Sequence, residues 1–262
     1  MFRILLIALV LAMPSSLFAA EAKKDNSADK YFPIRTLLDR CVDFSQIKYG
    51  EDSIDYGDCR VSESGEIGKI NNHTYYYALY CVIPSHSIKE GTCDSQTFNA
   101  RYFKKRGLAI FVQEGANEKA RLLNSYVCPD IGLYVYDKPD IIKNAFGVIL
   151  YVPIALDGTG HGNDSEYYIW EDRRWHKIDS VNWLEDLRKR LPSDVELWKG
   201  IWPNVQDMTA KAPLYQKGDA NCCPSGGTAE ITLSVENKQF IIKSMEIRSE
   251  LMMKGHKQQK TN

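Results

Sequence analysis

Strict alternation of apolar and polar residues between positions 228 and 236 constrains the fold of this chain more than any other feature. The apolar positions are Ala229, Ile231, Leu233 and Val235. Because successive side chains of a β-strand point to opposite faces, this pattern predicts a strand with one buried face. The polar sequence Glu236-Asn237-Lys238 follows, and a second apolar run comes after it. The segment 228–247 is therefore predicted to be a β-hairpin.

Two earlier segments, 106–126 and 165–181, show the same order of strand, polar turn and strand. A further aromatic and β-branched run, TYYYALYCVI, spans 74–83 and favours another strand. The predicted fold class is mainly β, with antiparallel sheets built from about three repeated hairpin units, a few short helices and stapling disulfides. An α+β fold is the alternative.

One helix is predicted over 181–191. Ser180 is the candidate N-cap, Leu184, Leu187 and Leu191 share one face, and Pro192 ends the run.

The first 22 residues have the layout of a secretory signal peptide. A cationic start precedes the apolar run ILLIALVLA, and Ala20-Glu21-Ala22 forms an A-x-A cleavage site. The run is too short to span a bilayer as a helix. We therefore expect export to the periplasm or the extracellular space, with no membrane span after cleavage.

The remaining chain divides into a β-rich region at 23–130, a second β-rich region with the helix at 131–248, and a flexible tail at 249–262. The chain carries 33 basic and 34 acidic side chains. Nucleic-acid binding is disfavoured, because no basic excess is present to neutralise phosphates.

Seven cysteines are present, and in an exported protein the expected state of each is a disulfide. Their odd number leaves at least one thiol unpaired or paired between chains. Cys81 and Cys93 enclose a short polar segment and are predicted to pair, and Cys41 and Cys59 could do the same. The others are Cys128, Cys222 and Cys223.

The adjacent Cys222 and Cys223 allow three interpretations. The favoured one is that each bonds to a distant partner, one of them Cys128. The second is a vicinal disulfide that acts as a rigid loop element or ligand platform. The third is a redox or thiolate-metal site, although the C-x-x-C spacing of known redox dithiols is absent.

The loop GDANCCPSGG, followed by an alternating strand, resembles a motif of exported bacterial proteins that have no assigned activity. The similarity covers roughly residues 215–247. It implies an exported location and a β context, and it supplies no catalytic residues.

The segment ALDGTGHGNDSEYY is a candidate ligand site. Asp157, His161 and Asp164 carry the polar groups, and the glycines would let the backbone approach a ligand. The pattern does not match the calcium loop of EF-hands. A flexible polar connection is the alternative, and the sequence contains neither G-x-S-x-G nor H-E-x-x-H.

All five tryptophans fall between positions 170 and 202. Aromatic side chains form platforms for sugars and protein partners, which makes Trp170 and Trp175 candidate binding residues. A core shared by the hairpin and the helix is the alternative.

These features predict an exported, non-catalytic binding or envelope-associated protein that needs no cofactor. A protein or an envelope glycan is the expected partner. Two alternatives are an enzyme acting on envelope polymers through the 156–166 loop, and a thiol-redox or metal-handling protein using Cys222 and Cys223.

Overall fold

The computed structural model describes residues 56–84, 105–116, 118–127, 134–156 and 162–248. Within these ranges the chain is mainly β, which confirms the predicted fold class, and neighbouring strands pair antiparallel. All three predicted hairpins are present. The predicted signal peptide and the tail lie outside the described residues.

The N-terminal sheet has four strands in the order of the chain. The aromatic and β-branched residues of the second and third strands suit a buried sheet. Its strands are β1 (Tyr56–Ile70), β2 (His73–Pro84), β3 (Lys105–Glu114) and β4 (Arg121–Val127).

The central sheet combines two hairpins in the order β10-β9-β7-β6. Strands β5 and β8 form a separate short pair, and in the sequence β5 precedes β6 while β8 lies between β7 and β9. These strands are β5 (Tyr134–Tyr136), β6 (Asp140–Asn144), β7 (Gly147–Val152), β8 (Ile154–Leu156), β9 (Glu166–Glu171) and β10 (Arg174–Lys177).

The C-terminal sheet has three strands in the order β12-β14-β15, and a short pair, β11 and β13, lies beside it in sequence. The elements are helix α1 (Asn182–Arg190) and strands β11 (Val195–Glu196), β12 (Thr209–Pro213), β13 (Tyr215–Gln216), β14 (Thr228–Glu236) and β15 (Gln239–Arg248).

The central sheet is covered on both faces. Ile149 of β7 belongs to a core with residues of the C-terminal sheet and α1, such as Leu233. The next residue, Leu150, belongs to a core with Leu108 and Ile110 of the N-terminal sheet. Two buried faces explain why β7 reads as a continuous apolar run, GVILYV. This second core also joins residues from both sides of position 130, where the sequence analysis divides the two β-rich regions.

Helix α1 lies within the predicted range, and its buried residues are Trp183 and Leu187. The prediction for its N-terminus was wrong, because the N-cap position is held by Val181, whose side chain makes no capping hydrogen bond. The carboxylate of Asp179, not the hydroxyl of Ser180, accepts hydrogen bonds from the backbone amides of Val181 and Asn182, at 2.9 and 3.1 Å. An aspartate satisfies these amides and also suits the positive end of the helix dipole.

Among the described residues, no helix is both long enough and apolar enough to cross a bilayer.

Candidate functional site

A cavity of about 690 Å³ opens beside the central sheet. Its wall combines aromatic side chains from β5 with polar side chains from the segment before β9, the end of β10 and the start of α1. The lining residues are Tyr134, Tyr136, Ile154, Asn163, Asp164, Ser165, Glu166, Tyr167, Lys177, Ile178, Asp179, Ser180, Val181, Leu184 and Pro203.

The backbone of residues 163–165 is held in place by its own side chains. The Asn163 amide donates to the carbonyl of Ile201 at 2.5 Å, and its Oδ1 accepts from the Ser165 backbone amide at 2.9 Å. The buried Ser165 hydroxyl accepts from the Ile154 amide at 3.1 Å. These bonds leave Asp164 exposed at the rim of the cavity.

Glu166 connects the cavity to the interface between two sheets. Its carboxylate forms a 2.5 Å ion pair with Lys177 and accepts a hydrogen bond from the Tyr168 hydroxyl. The hydroxyls of Tyr168 and Tyr126 are 3.0 Å apart, and Asn124 donates to Tyr126 at 2.9 Å. Burial raises the pKa of both tyrosines well above the ordinary value, so both stay neutral and can donate.

A smaller pocket of about 190 Å³ lies along this chain of hydrogen bonds. Its wall is largely apolar. The lining residues are Ile110, Leu123, Asn124, Tyr126, Leu150, Tyr168 and Trp175.

Tyr167 lies on the wall of the larger cavity and is fully buried. Its hydroxyl does not form a hydrogen bond of normal geometry within the described part of the chain. Burial raises the pKa of this hydroxyl, and the nearby side chains of Asn163 and Ser165 oppose the rise only in part. A neutral phenol without a satisfied hydrogen bond is costly unless a ligand or water completes it.

Trp170 and Trp175 are half-buried between two sheets. Their rings meet edge to face with centroids 5.2 Å apart, and both contact the buried ring of Tyr75 in the N-terminal sheet. They therefore hold the two sheets together. The alternative interpretation, a core shared by the hairpin and the helix, is right for Trp183, which belongs to α1 and is buried. Of the five tryptophans, Trp198 and Trp202 are the exposed ones.

Cys222 and Cys223 are bonded to each other, so the favoured prediction of two distant partners was wrong. Both residues are exposed. Cys81 is also disulfide-bonded. The predicted pairs Cys41–Cys59 and Cys81–Cys93 each involve a cysteine, Cys41 or Cys93, that lies outside the described residues.

Asp219 organises the loop that carries the vicinal disulfide. Its carboxylate accepts hydrogen bonds from the Gln216 amide at 2.7 Å, from the Ser225 amide at 2.8 Å and from the Ser225 hydroxyl at 2.7 Å. The side-chain and backbone bonds from Ser225, followed by the bond from Gln216, hold the pKa of Asp219 below its ordinary value. The loop is thus fixed although it lies at the surface.

Of the predicted ligand residues, Asp164 lines the cavity, whereas Asp157 and His161 lie outside the described residues. In the described ranges, no three side chains of His, Cys, Asp or Glu gather as a metal site. Sequence reasoning missed Lys177, Tyr167 and the tyrosines of β5. The predicted hairpin at 165–181 gave a partial signal, because adjacent residues of a strand such as Tyr167 and Tyr168 point to opposite faces.

Comparison of the chain with protein-family models and with curated proteins finds no match.

Proposed function

We propose that the chain is an exported, non-catalytic binding protein and that the cavity beside the central sheet holds its ligand. The observation that carries this proposal is the cavity itself, whose wall includes Tyr167, a buried residue whose hydroxyl lacks a hydrogen bond of normal geometry within the described part of the chain. Ligand pockets commonly combine aromatic walls with a few convergent polar groups, and this cavity has both.

The charges around the cavity favour a ligand rich in hydrogen-bond donors. Among the described residues, three carboxylates line it, from Asp164, Glu166 and Asp179, together with one ammonium, that of Lys177. Lys177 is already paired with Glu166. An anionic ligand would meet this excess of carboxylates, so a neutral or cationic polar molecule, such as a sugar or an amino sugar, fits the wall better.

Binding without catalysis is favoured by the state of these carboxylates. Glu166 is engaged by two donors, Lys177 and Tyr168, and Asp179 is engaged as the cap of α1. A general base must be able to reach a substrate proton. Among the described lining residues, Asp164 is the carboxylate at the exposed rim, and one such carboxylate suits ligand orientation better than paired acid and base chemistry.

The test is a thermal-shift screen of the purified protein with four ligand classes: neutral sugars, amino sugars, polyamines and sugar phosphates. We expect a neutral or cationic class to raise the melting temperature. At a concentration about 100 times Kd, the stabilisation is about 2.7 kcal/mol, which corresponds to about 5–10 °C for a chain of this size.

Asp164→Asn is the test variant, and Asp194→Asn is the matched control, because Asp194 is exposed and does not line the cavity. Asp164→Asn should reduce the shift, and Asp194→Asn should not. Stabilisation only by sugar phosphates would contradict the proposal. Conversion of a panel compound, seen by mass spectrometry, would replace it with the enzyme alternative.

A further inference from the structure

A pair of stacked rings lies next to the disulfide loop, and neither ring lines the cavity. The rings of Trp198 and Tyr215 are nearly parallel, at 9°, with centroids 4.6 Å apart. Tyr215 is buried, whereas Trp198 is 41% exposed. Because one face of the indole lies against Tyr215, its exposed area belongs to the opposite face and the edge.

The orientation of Trp198 is fixed at its edge. The indole nitrogen donates a hydrogen bond to the carboxylate of Glu196 at 3.0 Å. Glu196 in β11 pairs with Tyr215 in β13. The same strand pairing therefore positions both the ring that stacks on Trp198 and the carboxylate that binds its indole nitrogen. A side chain that is ordered before binding loses little conformational freedom when a ligand arrives.

Tyr215 also connects the stack to the vicinal disulfide. Its hydroxyl donates to the carbonyl of Asn221 at 3.0 Å, directly before Cys222. The six residues 220–225 are all exposed. An exposed loop gains little from apolar burial, yet ordering it costs conformational entropy. The disulfide and the bonds to Asp219 offset that cost, which points to a surface kept rigid for recognition.

We propose that Trp198 and the Cys222–Cys223 loop form a second binding surface, for an uncharged oligosaccharide. The open face of Trp198 packs against the C–H face of a pyranose ring, and the Glu196 carboxylate accepts a hydrogen bond from a sugar hydroxyl. Acidic and basic side chains are interspersed along the sequence around the stack, with Glu196 and Asp219 near Lys199 and Lys217 in the chain. A neutral ligand suits this mixture of charges better than a charged one.

The flat face of the Trp198 indole further restricts which kind of sugar can stack on it. A β-linked chain of pyranoses with equatorial hydroxyls presents extended C–H faces, whereas an axial hydroxyl would interrupt the contact with the indole. The disulfide loop borders the stack through Asn221, and its residues 220–225 are exposed beside the stacked rings.

The experiment titrates the full-length protein with cellotetraose and with tetra-N-acetylchitotetraose, followed by tryptophan fluorescence and calorimetry. Trp198→Ala should weaken binding about tenfold or more. The double variant Cys222→Ser/Cys223→Ser should weaken it about threefold, because the loop loses its order. Trp202→Ala is the matched control, since Trp202 is exposed to a similar extent, 38%, and should stay within about twofold of the wild type.

Absence of binding of both oligosaccharides to the wild type at millimolar concentration would overturn the proposal. Equal losses in Trp198→Ala and Trp202→Ala would overturn it too, because the contact would then be nonspecific. Trp198→Phe keeps a ring on Tyr215 and tests the surface if Trp198→Ala does not fold. It should bind more weakly than the wild type, and unchanged affinity would count against the indole contact. Because Trp198 does not line the cavity, a loss confined to Trp198→Ala and to the cysteine variant separates this surface from the cavity.

Discussion

The hydroxyl oxygens of Tyr126 and Tyr168 lie 3.0 Å apart, and their hydrogen bond joins β4 of the N-terminal sheet to β9 of the central sheet. Tyr168 donates to Glu166, so Tyr126 is the donor within the pair. The carboxylate at the cavity is thereby connected to the interface between two sheets.

Stability should fall at alkaline pH because of this pair. Burial is the largest cause that raises the pKa of Tyr126 in the folded protein, and its hydrogen bond to Tyr168 adds to it. The unfolded chain ionises near pH 10, whereas the folded chain resists ionisation. Stabilisation is therefore complete below pH 10 and is lost as the pH rises above it. Tyr126→Phe should reduce the slope of the free energy of unfolding against pH by up to about 1.4 kcal/mol per pH unit.

Urea unfolding at pH 8 and at pH 11 measures this slope. Identical slopes for the wild type and Tyr126→Phe would show that Tyr126 ionises as freely in the folded state as in the unfolded state.

Substitutions before helix α1 should distinguish the contribution of Asp179 to stability from that of Ser180. Asp179→Ala should lower the free energy of unfolding by about 1 kcal/mol, because the amides of Val181 and Asn182 lose their acceptor. Ser180→Ala should have a smaller effect, since Ser180 does not supply that acceptor. Chemical denaturation of both variants is the measurement. A larger loss in Ser180→Ala would reverse the assignment of the cap.

Asp219→Ala should loosen the disulfide loop without unfolding the protein. The amides of Gln216 and Ser225 lose their shared acceptor, so their hydrogen exchange should become faster. The lowered pKa of Asp219 means that its contribution is present above its unfolded pKa and is lost as the pH falls through the folded value. Asp194→Asn is the control, and equal exchange in both variants would show that the loop is held by other contacts.

Tyr167→Phe should affect ligand binding and stability in different directions. The buried hydroxyl lacks a well-formed hydrogen bond, so its removal should leave the free energy of unfolding unchanged or raise it by up to about 1 kcal/mol. Ligand affinity in the cavity should fall about fivefold or more. Tyr151→Phe is a matched control, because its ring stacks on Tyr167 with centroids 5.2 Å apart. A destabilised Tyr167→Phe with normal affinity would indicate a structural role alone.

The hairpins were predictable because their information is local. The alternation from Ala229 to Val235 in β14 identifies one buried face, and the structure has that face in the core. The sandwich around the central sheet was not predictable, since β7 is buried on both faces and loses its alternation. A run of this kind does not say which sheets cover it.

The candidate site was predictable only in part. Asp164 stood out because glycines surround it in the sequence. Lys177 reaches the cavity through the pairing of β10 with β9, and Tyr134 reaches it through the pairing of β5 with β8. A single sequence does not report such contacts. The bond between Cys222 and Cys223 was also open, because spacing alone does not determine which cysteines pair.

The most direct test of the ligand site is a chemical-shift map of the ¹⁵N-labelled protein, titrated with the neutral sugars and amino sugars of the panel. The account predicts saturable shifts for the amides of residues 163–167 and 177–184, with small changes in β1 and β15. The absence of saturable shifts in these two segments with every compound of these two classes would contradict the claim that the cavity beside the central sheet binds the ligand.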